Sequence, residues 1–179
     1  MPYYTRAGDA GKTGICDQSK VSKTSPRIGA SGYIDELNAA IGLCRTACKD
    51  REIHNILERI QNELFTLGAD LCTPLDSTFN TVRLGKEQTE RMEKEVDRIA
   101  EEIGELKSFI LPGGTELAAR LHLARTVCRK AERSMNMLAE KEKINPADFP
   151  YINRLSSLLF VLARLANKRA NVKDVEWKK

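Results

Sequence analysis

Two stretches of this chain hold residues in patterns that could do chemistry. The first is Thr5-Arg6-Ala7-Gly8-Asp9-Ala10-Gly11-Lys12-Thr13-Gly14. Glycines let backbone N–H groups close on an anion, and Arg6 and Lys12 add positive charge, so the stretch suits a phosphate. It is not a nucleotide-binding P-loop. That motif needs glycine where Arg6 stands, a buried strand before it and a helix after it, and the segment that follows here is polar. A plain Gly-rich tail has the same composition, so phosphate binding is one of two readings. The second stretch is Arg120, Arg125, Arg129, Lys130, Glu132 and Arg133. At about 100° per helical residue, Arg125, Arg129 and Glu132 fall in one narrow sector, about a quarter turn from Ala124, Cys128 and Ala131. Two adjacent guanidiniums repel unless something anionic lies between them. A solvated face with i,i+4 ion pairs explains the same run.

Two smaller features join these. Phe109-Ile110-Leu111-Pro112-Gly113-Gly114 is an apolar wedge followed by a glycine turn that leads into the arginine-bearing segment. Its position suggests an aromatic one turn from the arginine row, lining a common pocket, although a phenylalanine beside Ile and Leu is ordinarily core. Asp35 lies next to an apolar stripe and could pair with an arginine of the later helix or stand as an exposed carboxylate. Cys16, Cys44, Cys48, Cys72 and Cys128 form an odd set without a C-x-x-C pair, which is poor metal or disulfide spacing. Cys44 and Cys48 share a face with Leu37 and Ile41 and read as small core residues. His54 and His122 read as helix surface or packing. No Ser, Cys or His is paired with an activating base.

These residues need a frame, and the apolar spacing supplies one. Ile34, Leu37, Ile41, Cys44 and Cys48 step by three and four after Pro26, with Ser25 as a cap. Ile53, Leu57, Ile60, Leu64, Leu67 and Leu71 make a second helix, and residues 73–85 a loop. A third helix from about Lys86 to Leu106 carries Met92, Val96, Ile99, Ile103 and Leu106 with charge on its other faces, so it should sit outside. The fourth starts near Thr115-Glu116 with Leu117, Leu121, Ala124, Cys128, Ala131, Met135 and Leu138 as its seam. After Asn145-Pro146 the fifth buries Ile152, Leu155, Leu159, Leu162 and Ala166. No segment alternates long enough to be a strand, and residues 1–24 read as irregular loop. The expectation is a single domain over 1–179: an all-α, up-and-down bundle of four or five helices over 25–171, with antiparallel neighbours.

Composition narrows the function. The chain has 179 residues, 29 Lys and Arg against 25 Asp and Glu, and a net charge of +4. That balance does not point to nucleic acid or a membrane surface, and 6% aromatic content argues against base-stacking platforms. The first residues, Met1-Pro2-Tyr3-Tyr4-Thr5-Arg6, lack the apolar core of a signal peptide, and no apolar run approaches the roughly 18 residues of a membrane span. A soluble, cytoplasmic protein is expected.

Taken together, the blocks resemble the PduO-type ATP:cob(I)alamin adenosyltransferases. Thr5-Arg6-x-Gly8-Asp9-x-Gly11-x-Thr13 resembles that family's N-terminal ATP-binding loop. Val21-Ser22-Lys23 and Gly32 through Gly42 resemble its first helix. Phe109 through Gly114, continuing through Arg125-Thr126-Val127-Cys128-Arg129-Lys130-Ala131-Glu132-Arg133, resembles its most distinctive block, and Asn153-Arg154-Leu155-Ser156 the start of its last helix. The likeness spans nearly the whole chain. The family usually has glycines and a Glu-Arg pair where this chain reads Ile15-Cys16-Asp17-Gln18-Ser19-Lys20, and often a second arginine where Lys130 stands.

The resemblance implies a homotrimer with ATP and cobalamin bound at each subunit interface and Mg²⁺ on the triphosphate. It implies that Thr5, Arg6, Gly8, Asp9, Gly11, Lys12, Thr13, Lys23, Arg129, Glu132 and Asn153 serve ATP. Arg125 would pair with Asp35 across the interface, and Phe109 would stand below the corrin ring and displace the lower axial ligand. The implied reaction moves the 5′-deoxyadenosyl group of ATP to the cobalt of reduced cobalamin, giving adenosylcobalamin and triphosphate. Co(I) is itself the nucleophile, which agrees with a chain that lacks a catalytic triad. A flavoprotein reductase and a cobalamin-dependent enzyme would be its partners. The alternative is a helical module that carries ATP or a corrinoid without turnover.

Overall fold

The computed structural model describes residues 3–17 and 19–178, and five helices account for most of them: α1 (Pro26–Ala47), α2 (Arg51–Leu71), α3 (Lys86–Ile103), α4 (Glu116–Ala139) and α5 (Asp148–Arg169). Side chains fix the starts of three. Ser25 accepts from the N–H of Ile28 with Pro26 in the first turn, Asp50 accepts from Glu52 and Ile53, and Thr115 accepts from Ala118. The expected stripes of α1, α2, α4 and α5 are buried in one core.

Ion pairs and hydrogen bonds set the helix directions. Arg27–Glu142, Glu36–Lys130 and Thr46–Arg120 run α1 against α4. Asn153–Glu132 and Asn167–Thr115 run α4 against α5, and Arg59–Glu95 and Arg98–Glu52 run α2 against α3. The five helices therefore alternate up and down. Helices consecutive in the chain are thus antiparallel, as the short loops lead one to expect. Glu93–Arg154 and Glu102–Arg169 run α3 parallel to α5, because three helices of an alternating set of five point the same way and two of them touch. The outer position of α3 does hold, with only Thr89, Met92 and Ile99 buried on it.

Three details depart from the sequence reading. The N-terminal segment is not wholly irregular: β1 (Lys12–Gly14) and β2 (Lys20–Ser22) pair antiparallel, Thr13 opposite Val21. Strands this short show no alternation to read. Helix α3 stops at Ile103 because Gly104 takes φ 77°, so Leu106 is exposed loop. Cys48 is the C-terminal cap of α1, half-buried, with its thiol on the carbonyl of Asp50. The segments most relevant to function divide between the two ends of the bundle. The hairpin, the start of α1 and the end of α4 lie at one end, and the turn carrying Phe109 lies at the other.

Candidate functional site

At the first end, local hydrogen bonds fold the glycine-rich segment into a compact loop. Asp9 N–H donates to Arg6 and Gly11 N–H to Gly8, each at 3.2 Å. Gly11 sits at φ 75°, a conformation that favours glycine, and its carbonyl accepts from Lys23 N–H at 2.9 Å. Gly8 approaches the ammonium end of Lys23 so closely that a Cβ there would lie 3.1 Å from Nζ. Thr5, Gly8, Lys12, Thr13 and Lys20 line a cavity of about 210 Å³. Arg6 adopts φ 59° and lies 5.6 Å from the ring centre of Tyr4, and Asp9 is exposed. Thus Thr5, Gly8, Lys12 and Thr13 border one small cavity, with Gly11 and Lys23 bonded beside it and Arg6 and Asp9 on the outside of the same loop.

The turn of this hairpin is the segment where the chain departs from its resemblance. Gln18 lies outside the described residues. Ile15 is buried, Asp17 accepts from both the N–H and hydroxyl of Ser19, and Cys16 N–H donates to Cys72 at the end of α2. Those two bonds from Ser19 hold the Asp17 carboxyl below its ordinary range. The departing residues therefore dock the hairpin onto the bundle.

Along α4, Glu132 accepts from the side-chain amide of Asn153 at 2.8 Å, with Arg129 exposed one turn away. Arg125 is half-buried, and among the described residues it forms no ion pair. Its expected partner Asp35 is exposed on α1 and lines a groove of about 460 Å³ between α1 and α2, with Asn38, Phe65 and Gly68. Within one chain the two do not meet. Lys130 instead reaches α1 and pairs with Glu36. Nor do the described hydrogen bonds link the glycine loop to Arg129, Glu132 or Asn153.

Phe109 is 77% exposed, so its core reading fails. It is also not one turn from the arginines. Helix α4 begins only at Glu116, and Arg125 lies about 14 Å further along the axis. Two residues that sequence reasoning passed over hold the Phe109 segment. Trp177 meets its ring edge-to-face with centroids 6.4 Å apart, and Asn167, 2% exposed, binds the Gly113–Gly114 turn. The presence of one tryptophan in the whole chain is the only sequence signal for the first. His122 is packing, as read: it is buried edge-on to Phe160, and burial with Arg125 nearby lowers its pKa. Cys44 and Cys128 are buried thiols, and desolvation pushes Cys44 up to about 12. Among the described residues no group of three His, Cys, Asp or Glu side chains could hold a metal ion, and no helix is long and apolar enough to cross a membrane.

A helical bundle with a glycine-rich, lysine-bearing loop at one end, an arginine-bearing helix and an exposed braced phenylalanine belongs to a definable class. The family model described as cobalamin adenosyltransferase matches residues 3–166, and the chain belongs to that family. The corrinoid adenosyltransferase of Mycobacterium tuberculosis (strain H37Rv) is 43% identical over 180 residues, covering 98% of this chain and 92% of the relative. The corrinoid adenosyltransferase PduO of Salmonella typhimurium is 41% identical over 98% of this chain, which spans about half (52%) of that longer relative. Among solved structures, a phenylalanine-to-alanine variant of the PduO-type ATP:corrinoid adenosyltransferase from Lactobacillus reuteri, complexed with cobalamin and ATP, superposes with a TM-score of 0.96. It is 38% identical, and the match covers 99% of this chain and 100% of that one.

Proposed function

We infer that the protein is an ATP-dependent corrinoid adenosyltransferase, which moves the 5′-deoxyadenosyl group of ATP to the cobalt of cob(I)alamin. The observation that carries this is the near-complete correspondence of the chain to an adenosyltransferase complexed with both cobalamin and ATP. In the reaction the Co(I) electron pair attacks the ribose 5′ carbon, a Co–C bond forms, and the C–O bond breaks with its pair leaving on triphosphate. The protein must hold cobalt and carbon in line and stabilise the departing charge. Lys12, Lys23 and the loop N–H groups suit the phosphates, with Arg6 and Thr5 at the loop's margin. Magnesium prefers oxygen ligands and keeps to substrate phosphates, where it would offset their charge.

Arg129 with the Glu132–Asn153 pair suits the nucleotide from a second face. No described hydrogen bond links these residues to the loop within one chain, which fits a site assembled from two copies, and a homotrimer with Asp35 and the partner subunit's Arg125 paired across the interface satisfies both. Phe109 then stands beneath the corrin and expels the lower axial ligand, which eases reduction of Co(II) because that ligand stabilises the oxidised state. The product would pass to a cobalamin-dependent enzyme in the cytoplasm, and a flavoprotein reductase would supply the electron. Mixing the protein with Mg-ATP, cobalamin and reductant distinguishes turnover from carriage. The spectrum of adenosylcobalamin should accumulate beyond one equivalent, and a binding-limited spectral shift alone would establish a carrier.

A further inference from the structure

The segment after α5 has no role in the reading above, yet it is built onto Phe109. Helix α5 ends at Arg169, Asn171 takes φ 56°, and the chain turns back across the end of the bundle. There it pairs with the Phe109 segment as an antiparallel bridge between Ile110 and Glu176. Leu111 N–H donates to the carbonyl of Val175 at 2.8 Å, and Trp177 N–H donates to the carbonyl of Phe109 at 2.7 Å. The Trp177 ring then stands at 74° to that of Phe109.

The other end of this strap is anchored by one buried amide. Asn167 Oδ1 accepts from Thr115 N–H at 2.9 Å and from its hydroxyl at 3.2 Å. Its Nδ2 donates to Gly113 O at 3.1 Å and to Asp174 Oδ1 at 3.0 Å, while Arg164 donates to the second Asp174 oxygen. Asn167 therefore fixes both sides of the clasp: the turn before α4 and the strap that closes on it. Gly114, at φ 102°, lies against the amide so closely that a Cβ would overlap it.

An exposed aromatic ring that must hold its position against a displaced ligand needs such bracing, since a free phenylalanine samples several rotamers. We propose that Trp177, on a strap anchored through Asn167, is a positioning residue that holds Phe109 in the attitude needed to expel the lower axial ligand. The proposal rests on the reading of Phe109 given above.

The test uses Trp177→Ala, Trp177→Phe, Phe109→Ala and the double variant. Trp177 is 48% exposed, so its loss spares the core. The readout is the paramagnetic resonance spectrum of cob(II)alamin with ATP, in which the nitrogen splitting of the lower ligand disappears when that ligand leaves. Trp177→Ala should lower the ligand-free fraction about tenfold, with an unchanged melting temperature, and Trp177→Phe should restore most of it. Adenosylation of pre-reduced cob(I)alamin should stay within about twofold of the wild type, because the ligand is already gone. The double variant should match Phe109→Ala alone, because the strap acts only through the ring. Additive losses, or a wild-type spectrum in Trp177→Ala beside a defective Phe109→Ala, overturn the proposal alone. A wild-type spectrum in Phe109→Ala overturns the underlying reading and the proposal with it.

Discussion

The ammonium of Lys130 lies 2.6 Å from a Glu36 carboxylate oxygen and 4.7 Å from the ring centre of Tyr33, so it is spent on tying α4 to α1. Arg129, its neighbour, is left exposed beside Glu132 and Asn153. The two cations should therefore separate on substitution. Arg129→Ala should weaken ATP binding by about 1.5–3 kcal/mol, the range of a hydrogen bond to a charged group. Lys130→Ala should cost under about 1 kcal/mol of stability, as a partly exposed pair, and leave ATP affinity unchanged. Calorimetric titration with ATP analogue and thermal melts of both variants decide it, and the reverse order would reassign Lys130 to the nucleotide.

Lys12 occupies the first strand of the hairpin and lines the loop cavity. Lys12→Ala should weaken ATP by about 1–3 kcal/mol while leaving cobalamin affinity intact. Equal losses for both ligands would remove the loop from the nucleotide site.

Among the described residues neither Asp35, in its groove between α1 and α2, nor the half-buried Arg125 forms an ion pair. Arg125→Asp should weaken assembly and lower activity, and so should Asp35→Arg. Combining the two should restore both if the carboxylate and guanidinium meet between subunits. Sedimentation of the wild type as an active monomer would exclude the shared site.

Asp148 opens α5 with its side chain fully buried, among Asp70, Arg83 and Asn145. Burial first, and the charge of Asp70 second, push its carboxyl up to about 8 from 3.8. Between those values the folded chain keeps a proton that the unfolded chain has lost. The stabilising contribution is therefore full below pH 3.8 and is lost as pH rises through about 8. Asp148→Asn replaces the protonated acid with a permanent donor. Its stability relative to the wild type should climb with pH, by at most about 1.4 kcal/mol per unit. Urea unfolding of both proteins across that window measures the difference, and a gap independent of pH would show that Asp148 is ionised.

The helices were legible because each buries a stripe with helical spacing, from Ile34 and Leu37 in α1 to Leu155 and Leu159 in α5. The glycine loop was legible as chemistry but not as a hairpin, since its pairing depends on Ile15 and Cys16 docking against the end of α2, a tertiary contact. The clasp on Phe109 was hidden for the same reason. Asn171 reverses the chain with a backbone angle, and Trp177 follows no repeating pattern. The wedge and the arginines looked adjacent because the linear order conceals how much helix lies between Thr115 and Arg125.

That intervening helix makes α4 a ruler. Between the cap Thr115 and Arg129 the helix is an unbroken rod of about 21 Å, so the direction in which the arginine leaves it, relative to the Phe109 turn, is set by the number of residues between them. Removing a single residue between them would shorten the rod by only about 1.5 Å but would swing the arginine about 100° around the axis. A single deletion there would therefore act on the direction of Arg129 far more than on its distance from the turn.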